Sequence, residues 1–217
     1  MDPITAEEIT GGLSEPDKMP GFGYGIPASA CHVGHHMAQV DGTPCAVCYA
    51  FNRGHYRRYA VKRAQQKRLL SLEHALWVEA MVYLLADRPN RRNRRHFRWH
   101  DSGDLQDMAH LLNIVAVCEM TPEVSHFLPT RERGIVLSYL RNFGPFPLNL
   151  SVRLSATMID GPPPVTPPGM GINTSTVHHR KSAAGHSCPA REKYQNTCGP
   201  CRACWDLKVS NISFPLH

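Results

Sequence analysis

The sequence predicts an α/β fold with parallel strands. Three segments of alternating polar and apolar character, 96–100, 124–129 and 148–155, are separated by stretches in which apolar residues recur at spacings of three and four. The order strand, helix, strand, helix, strand calls for crossover helices between parallel neighbours. Those crossovers are expected to be right-handed.

Taken in order, residues 1–20 are polar and acidic with prolines, which reads as a loosely held N-terminal arm. Gly21 to Pro27 spaces aromatic and aliphatic residues by glycines, as in a short strand that delivers Cys31 into a loop. From Arg53 the chain is helix-compatible, and Leu69, Leu72, Leu76, Ala80 and Tyr83 fall on one helical face. This spacing fits one bent helix or two, with Ser71 as a cap at the break and an end near Asp87-Arg88-Pro89. His96 to His100 is the next strand, and Asp104 reads as the N-cap of a helix carrying Leu105, Met108, Leu111, Leu112, Val115 and Cys118 on one face. Cys118 is therefore a core thiol and no ligand.

Val124 to Pro129 follows as a strand, Thr130 as an N-cap, 132–143 as a helix and Leu148 to Ser155 as a strand. The prolines and glycines of 160–171 exclude regular structure there. One more strand is expected at 176–180. The chain thus divides into the arm, an α/β core over 21–159, and a segment over 160–217 that combines the Pro-rich loop with a Cys-rich end. At 217 residues this is one domain.

Composition is globular, with 42% hydrophobic and 19% charged residues, which excludes global disorder. No secretory signal and no apolar run of membrane-spanning length is present, so a protein of a reducing compartment is expected. There, clustered cysteines are metal ligands more often than disulfides. The net charge of +6 owes much to Arg91-Arg92-Asn93-Arg94-Arg95, a run able to meet phosphate but without the interleaved aromatic residues that stack on bases.

Seven of the eight cysteines form two groups. Cys31 precedes Cys45-x-x-Cys48, and Cys188 precedes Cys198-x-x-Cys201-x-x-Cys204. Sulfurs three residues apart on a turn converge without straining the backbone, and the triple run suits a cubane iron-sulfur cluster with Cys188 as fourth ligand. A structural zinc ion more often takes two separated pairs. The first group has three thiols, so one iron of a 4Fe-4S cluster there is left open, or is met by His32, His35, His36 or His55. One cluster or two are both compatible with the spacing, including one shared between Cys31, Cys45, Cys48 and a tail cysteine.

Ile26-Pro27-Ala28-x-x-Cys31, Cys45-x-x-Cys48-Tyr49-Ala50, Arg98-x-His100-x-Ser102-Gly103-Asp104, Thr130-Arg131, Val152-Arg153-Leu154-Ser155 and the tail ending in Trp205 together resemble the phage proteins called gene product 88. The resemblance covers roughly residues 21–205. That family in turn is similar to a reduced radical S-adenosylmethionine fold, which implies a partial parallel (β/α) barrel with a Cys-rich C-terminal extension. It also implies the cytoplasm of an infected bacterial host. Ser102, Gly103 and Asp104 occupy the place of the turn that in radical enzymes holds the methionyl amino group, and Arg153 and Ser155 that of contacts to ribose or carboxylate. The chain departs from the pattern in its thirteen residues between the first two cysteines, in an Asp where the longer Glu is usual, and in the lack of a later glycine-rich adenine motif.

The leading expectation is an iron-sulfur protein of phage infection, noncatalytic or regulatory, acting on a protein or nucleic-acid partner. The alternatives are a radical S-adenosylmethionine enzyme built on Cys31, Cys45 and Cys48, and a zinc-stabilised nucleic-acid-binding module that uses Arg91 to Arg95.

Overall fold

A computed structural model of the chain describes residues 1–51, 54–86 and 95–216. It contains a seven-stranded sheet in the order β1-β2-β3-β4-β5-β7-β6, parallel throughout. The strands are β1 (Gly23–Tyr24), β2 (His96–Trp99), β3 (Ser125–Thr130), β4 (Leu150–Ile159), β5 (Asn173–His178), β6 (His186–Ser187) and β7 (Asn211–Pro215). The first five are laid down in sequence order with no reversal. The sheet stays open, with β1 and β6 as its edges.

The helices are α1 (Pro3–Thr10), α2 (Val33–Met37), α3 (Tyr59–Ser71), α4 (Trp77–Ala86), α5 (Met108–Met120), α6 (Arg133–Phe143) and α7 (Ala190–Lys193). α1 packs on α3 and α4, α4 on α5, and α5 on α6, so they form one continuous layer. Beneath that layer lie Phe97 and Trp99 of β2, Leu128 of β3, and Leu150, Val152 and Leu154 of β4. Strand alternation sends the intervening residues, Arg98, Phe127, Arg153 and Ser155, to the other face. That face carries the functional features described below.

The N-terminal arm is ordered. Asp2 caps α1 by accepting from the backbone N–H groups of Ile4 (3.0 Å) and Thr5 (3.1 Å), and Pro3 pre-sets the first turn. The Tyr24 hydroxyl donates to Thr10 O (2.6 Å) and accepts from Trp77 Nε1 (3.2 Å), which ties α1, β1 and α4 together. The helical stretch after Arg57 is two helices. Ser71 ends the first and donates to Lys67 O (2.6 Å) instead of capping the second. The buried face of α4 is Trp77, Ala80, Met81, Leu84 and Leu85, while Leu76 is exposed. The expected helix end at Asp87-Arg88-Pro89 lies outside the described residues.

The N-cap of α5 is Asp107, whose carboxylate accepts from His110 N (2.7 Å), and not Asp104, which is used elsewhere. Cys118 is buried on the core face of α5 as expected. Segment 160–171 has neither helix nor strand. β6 and β7, both within the Cys-rich segment, extend the sheet beyond what the sequence predicts.

Candidate functional site

Chain direction brings the first cysteine group to the carboxyl end of the strands. After β1 the backbone of Ile26 donates to Ser102 O (3.1 Å), and a 3-10 turn over Ala28–Ala30 sets Cys31. The thirteen-residue loop folds back through the buried Thr43, whose hydroxyl lies 2.7 Å from Met37 O and 2.9 Å from Val40 O and accepts from Ala46 N (3.1 Å). Cys45 and Cys48 thus return to Cys31. Gly34 lies between them: a Cβ there would stand 3.6 Å from both the Cys31 and the Cys45 sulfur. Glu132, at the start of α6, accepts from Val33 N (2.9 Å) and fixes α2 beside the site.

All three cysteines line a cleft of about 260 Å³ that runs past Arg98, His100, Asp101 and Arg131 to Ser155 and Phe214. Burial pushes the Cys31 thiol up to about 12, reinforced by the charges of Asp104, Cys48 and Cys45 and opposed by Arg131. Burial raises Cys45 in the same way, again against Arg131. Both thiols are therefore protonated until a cation displaces the proton.

The second group lies in the tail. The Cys198 backbone donates to Lys18 O (2.8 Å), Cys201 N to Cys198 O (3.1 Å), and the Cys201 sulfur is 3.7 Å from His186 Nε2. Burial raises the thiols of Cys188 and Cys198, and Cys204 up to about 12. Each of these three also feels the charge of neighbours in its own group, and the Arg98 guanidinium favours the thiolate at all three. Cys31, Cys45 and Cys48 line the cleft, and none of the four tail cysteines does. The cysteines thus fall into a set of three and a set of four. None is in a disulfide.

Arg153 holds the tail set in place. Its side chain is fully buried, and all its N–H groups point at backbone carbonyls: Nε at Cys204 (3.2 Å), one terminal nitrogen at Thr174 (3.4 Å) and Val209 (2.7 Å), the other at Ala203 (3.0 Å) and Asp206 (2.8 Å). A guanidinium has five N–H donors. None is left for a cofactor. Trp205 adds a bond from Nε1 to Phe97 O (2.8 Å) and packs edge-on to Phe127.

The other expected cofactor residues are divided. The Ser102 hydroxyl donates to Ile26 O (2.5 Å) and accepts from Gln65 Nε2 (2.7 Å). Gly103 has φ +78° and presses on Ile26. The Asp104 carboxylate accepts from Leu105 N (2.8 Å), the Thr130 hydroxyl (2.5 Å) and Arg131 N (2.8 Å). These three lie on the cleft but hold its wall together. Ser155 also lines the cleft, and its hydroxyl accepts from Ser175 Oγ (3.1 Å).

Arg98 and Arg131, to which the sequence assigned no role, both line the cleft. The signal was present in Arg98, a charged residue between Phe97 and Trp99 on a strand covered on both faces. Of the basic run, Arg91 to Arg94 lie outside the described residues, and Arg95 is exposed. His35, His36 and His55 are exposed. Among the described residues, no group of three or more His, Cys, Asp or Glu side chains is placed to hold a metal ion. Nor is any helix among them long and apolar enough to cross a membrane.

The family model for gene product 88 matches residues 3–207. The chain belongs to the gene product 88 family. This is a bacteriophage family, and the match extends the resemblance seen over 21–205 through α1 at one end and past Trp205 at the other. No curated protein and no solved structure matches the chain.

Proposed function

We propose that this gene product 88 protein is an iron-sulfur protein, with a three-thiolate site on the cleft and a four-thiolate site in the tail. The observation that carries the reading is the meeting of Cys31, Cys45 and Cys48 on one cleft and the gathering of Cys188, Cys198, Cys201 and Cys204 in the tail, while the eighth cysteine, Cys118, stays in the core. A zinc ion holds each sulfur about 2.3 Å from a single point. A cubane distributes its thiolates over separate corners, which suits a run of three cysteines each three residues apart. Gly34 supports the fit, because its missing side chain leaves room between two sulfurs.

Cys31, Cys45 and Cys48 would hold the cleft cluster, and Cys188, Cys198, Cys201 and Cys204 the tail cluster. When bound, such clusters supply one-electron chemistry, and a three-thiolate site leaves one iron free for a ligand. Arg98 supplies positive charge beside the tail group, and Arg131 beside the cleft group. A noncatalytic or regulatory role suits the site better than S-adenosylmethionine chemistry, because Ser102, Asp104 and Arg153 are engaged with the protein itself. Anaerobic purification with iron, sulfide and zinc analysis tests the reading. About eight irons with matching sulfide per chain is the expected result; zinc without sulfide would overturn it.

A further inference from the structure

No carboxylate side chain occurs between Asp41 and Glu73, whereas seven Lys or Arg side chains do, against a net charge of +6 for the whole chain. Arg53 lies outside the described residues. Arg68 turns inward to Gly12 O (2.8 Å) and Gly25 O (3.3 Å), and the Lys67 ammonium lies 3.5 Å from Glu7 O. The other four, Arg57, Arg58, Lys62 and Arg63, are exposed around the first turns of α3. Among the described residues, the Arg58 and Arg63 guanidinium groups meet no hydrogen-bond or ion-pair partner.

This arrangement opposes the helix that carries it. The N-terminal end of a helix is its positive pole, where Asp or Glu stabilises and Lys or Arg does not. α3 has no acidic residue in its first turn, and Arg58, at the N-cap, makes no side-chain cap. Arg58 and Lys62, and Arg63 and Lys67, are like-charge pairs four residues apart, about 6 Å along the axis, and such pairs repel. A polyanion laid along this face reverses each of these costs, because it neutralises the cations and meets the pole with negative charge. Local rules broken together at one exposed place, with no gain in packing, are a mark of function.

We propose that the exposed face of α3 binds single-stranded nucleic acid. Arg58 and Arg63, with Arg57 and Lys62 beside them, track the phosphates. Aromatic side chains interleave with these cations, as they do not at Arg91 to Arg95. Tyr59 is 79% exposed one turn before Arg63, and Phe51 is 41% exposed ahead of the 3-10 turn over Gly54–Arg57. An unpaired base stacks on such a ring, whereas a duplex keeps its bases stacked on one another. A membrane surface fits less well, because α3 exposes only Tyr59 and Leu70 as large apolar residues, where an interfacial helix offers a whole apolar side. The proposal goes beyond the iron-sulfur reading, since none of these residues is a cysteine.

The test is fluorescence anisotropy of labelled strands titrated with the full chain as purified, with iron and sulfide measured on the same sample. The probes are an oligothymidylate and an oligouridylate of about 20 nucleotides and a duplex DNA of the same length, with cosedimentation on phosphatidylcholine–phosphatidylserine vesicles alongside. One or both single strands are expected to bind with a micromolar or lower Kd, more tightly than the duplex and more weakly as salt rises. Arg58→Gln/Arg63→Gln is expected to weaken binding at least about tenfold and to flatten the slope of log K against log salt by about 1.4, the share of two single-strand phosphate contacts. Arg141→Gln/Lys208→Gln removes the same charge from exposed positions elsewhere and is expected to change affinity less than about threefold. Tyr59→Leu is expected to weaken binding about tenfold with the salt slope unchanged, because stacking releases no counterions.

No saturable binding of either strand up to about 100 μM protein, tighter binding of the duplex or the vesicles, an equal loss in the Arg141→Gln/Lys208→Gln control, or wild-type binding by Tyr59→Leu would each overturn the proposal. The substituted side chains are all exposed, so the variants are expected to fold, and circular dichroism checks that they do. Iron-loaded protein that binds no strand sinks this proposal alone. Strand binding by protein without iron supports it and sinks the cluster reading alone.

Discussion

Thr130 donates its hydroxyl proton to the Asp104 carboxylate across 2.5 Å, and this bond ties the loop after β2 to the end of β3. With the N–H groups of Leu105 and Arg131 it gives Asp104 three donors. Burial still outweighs them and pushes the carboxyl up to about 6. Asp104 is therefore a wall bracket between two strand ends, placed where it also raises the Cys31 thiol.

That balance makes stability depend on pH. The folded pKa of about 6 lies above the ordinary value of 3.8, so the folded state holds this proton more tightly than the unfolded state. The stabilisation is fully present below about pH 4 and is lost as the pH rises through 6. A shift of this size corresponds to roughly 3 kcal/mol. Urea unfolding of wild type and Asp104→Asn should show the wild-type advantage shrinking by up to that amount from pH 4 to pH 7. A difference that stays constant over the range contradicts the assignment.

Gly103→Ala should destabilise the same loop. Its φ of +78° is one that L side chains rarely adopt, and the added Cβ would come 2.3 Å from Ile26 Cγ1 and 2.8 Å from the Ile26 carbonyl oxygen. The Ser102 hydroxyl already bonds that carbonyl, so the backbone has little room to retreat. A loss of about 2–4 kcal/mol is expected in denaturant unfolding. An unchanged midpoint would mean that the turn relaxes freely.

Much of this arrangement was legible in the sequence, for identifiable reasons. Alternation at His96-Phe97-Arg98-Trp99 and in 148–155 fixed the central strands, because one face of each must meet the helices. Cys118 was readable as a core thiol from its helical spacing. β7 was not, because Asn211-Ile212-Ser213 has one apolar residue, and its strand depends on β5 and on the loop that Arg153 holds. α1 was missed although Asp2-Pro3 is a helix-start signal, because its apolar face is only Ala6 and a few neighbours. The resemblance to radical enzymes made Arg153 a ligand contact, and no local pattern corrects that, because its carbonyl partners at 203 and 204 lie about fifty residues away.

Gly34→Val should separate the two cysteine groups. Valine places carbon atoms where the Cys31 and Cys45 sulfurs face each other, and the glycine has no left-handed backbone that the change would strain. The variant is expected to fold and to lose about half of the bound iron, with the tail share retained. Full iron content in a folded variant would show that the space left by Gly34 is not what admits a cluster at the cleft.

Arg153→Met tests whether the tail loop is organised by hydrogen bonds or by its cysteines. The arginine is fully buried, and the substitution leaves the carbonyls of Ala203, Cys204, Asp206 and Val209 without their donor. Each buried carbonyl left without a donor costs about 1–3 kcal/mol, because it stays desolvated. Because these carbonyls belong to the loop carrying Cys204 and Trp205, its bond to Phe97 should weaken as well. Thiol labelling of metal-free protein should then speed up at Cys188, Cys198, Cys201 and Cys204, while Cys31, Cys45 and Cys48 keep their wild-type rates. Equal acceleration at all seven would mean that the whole sheet loosens. Unchanged labelling at the tail would remove Arg153 from its organising role.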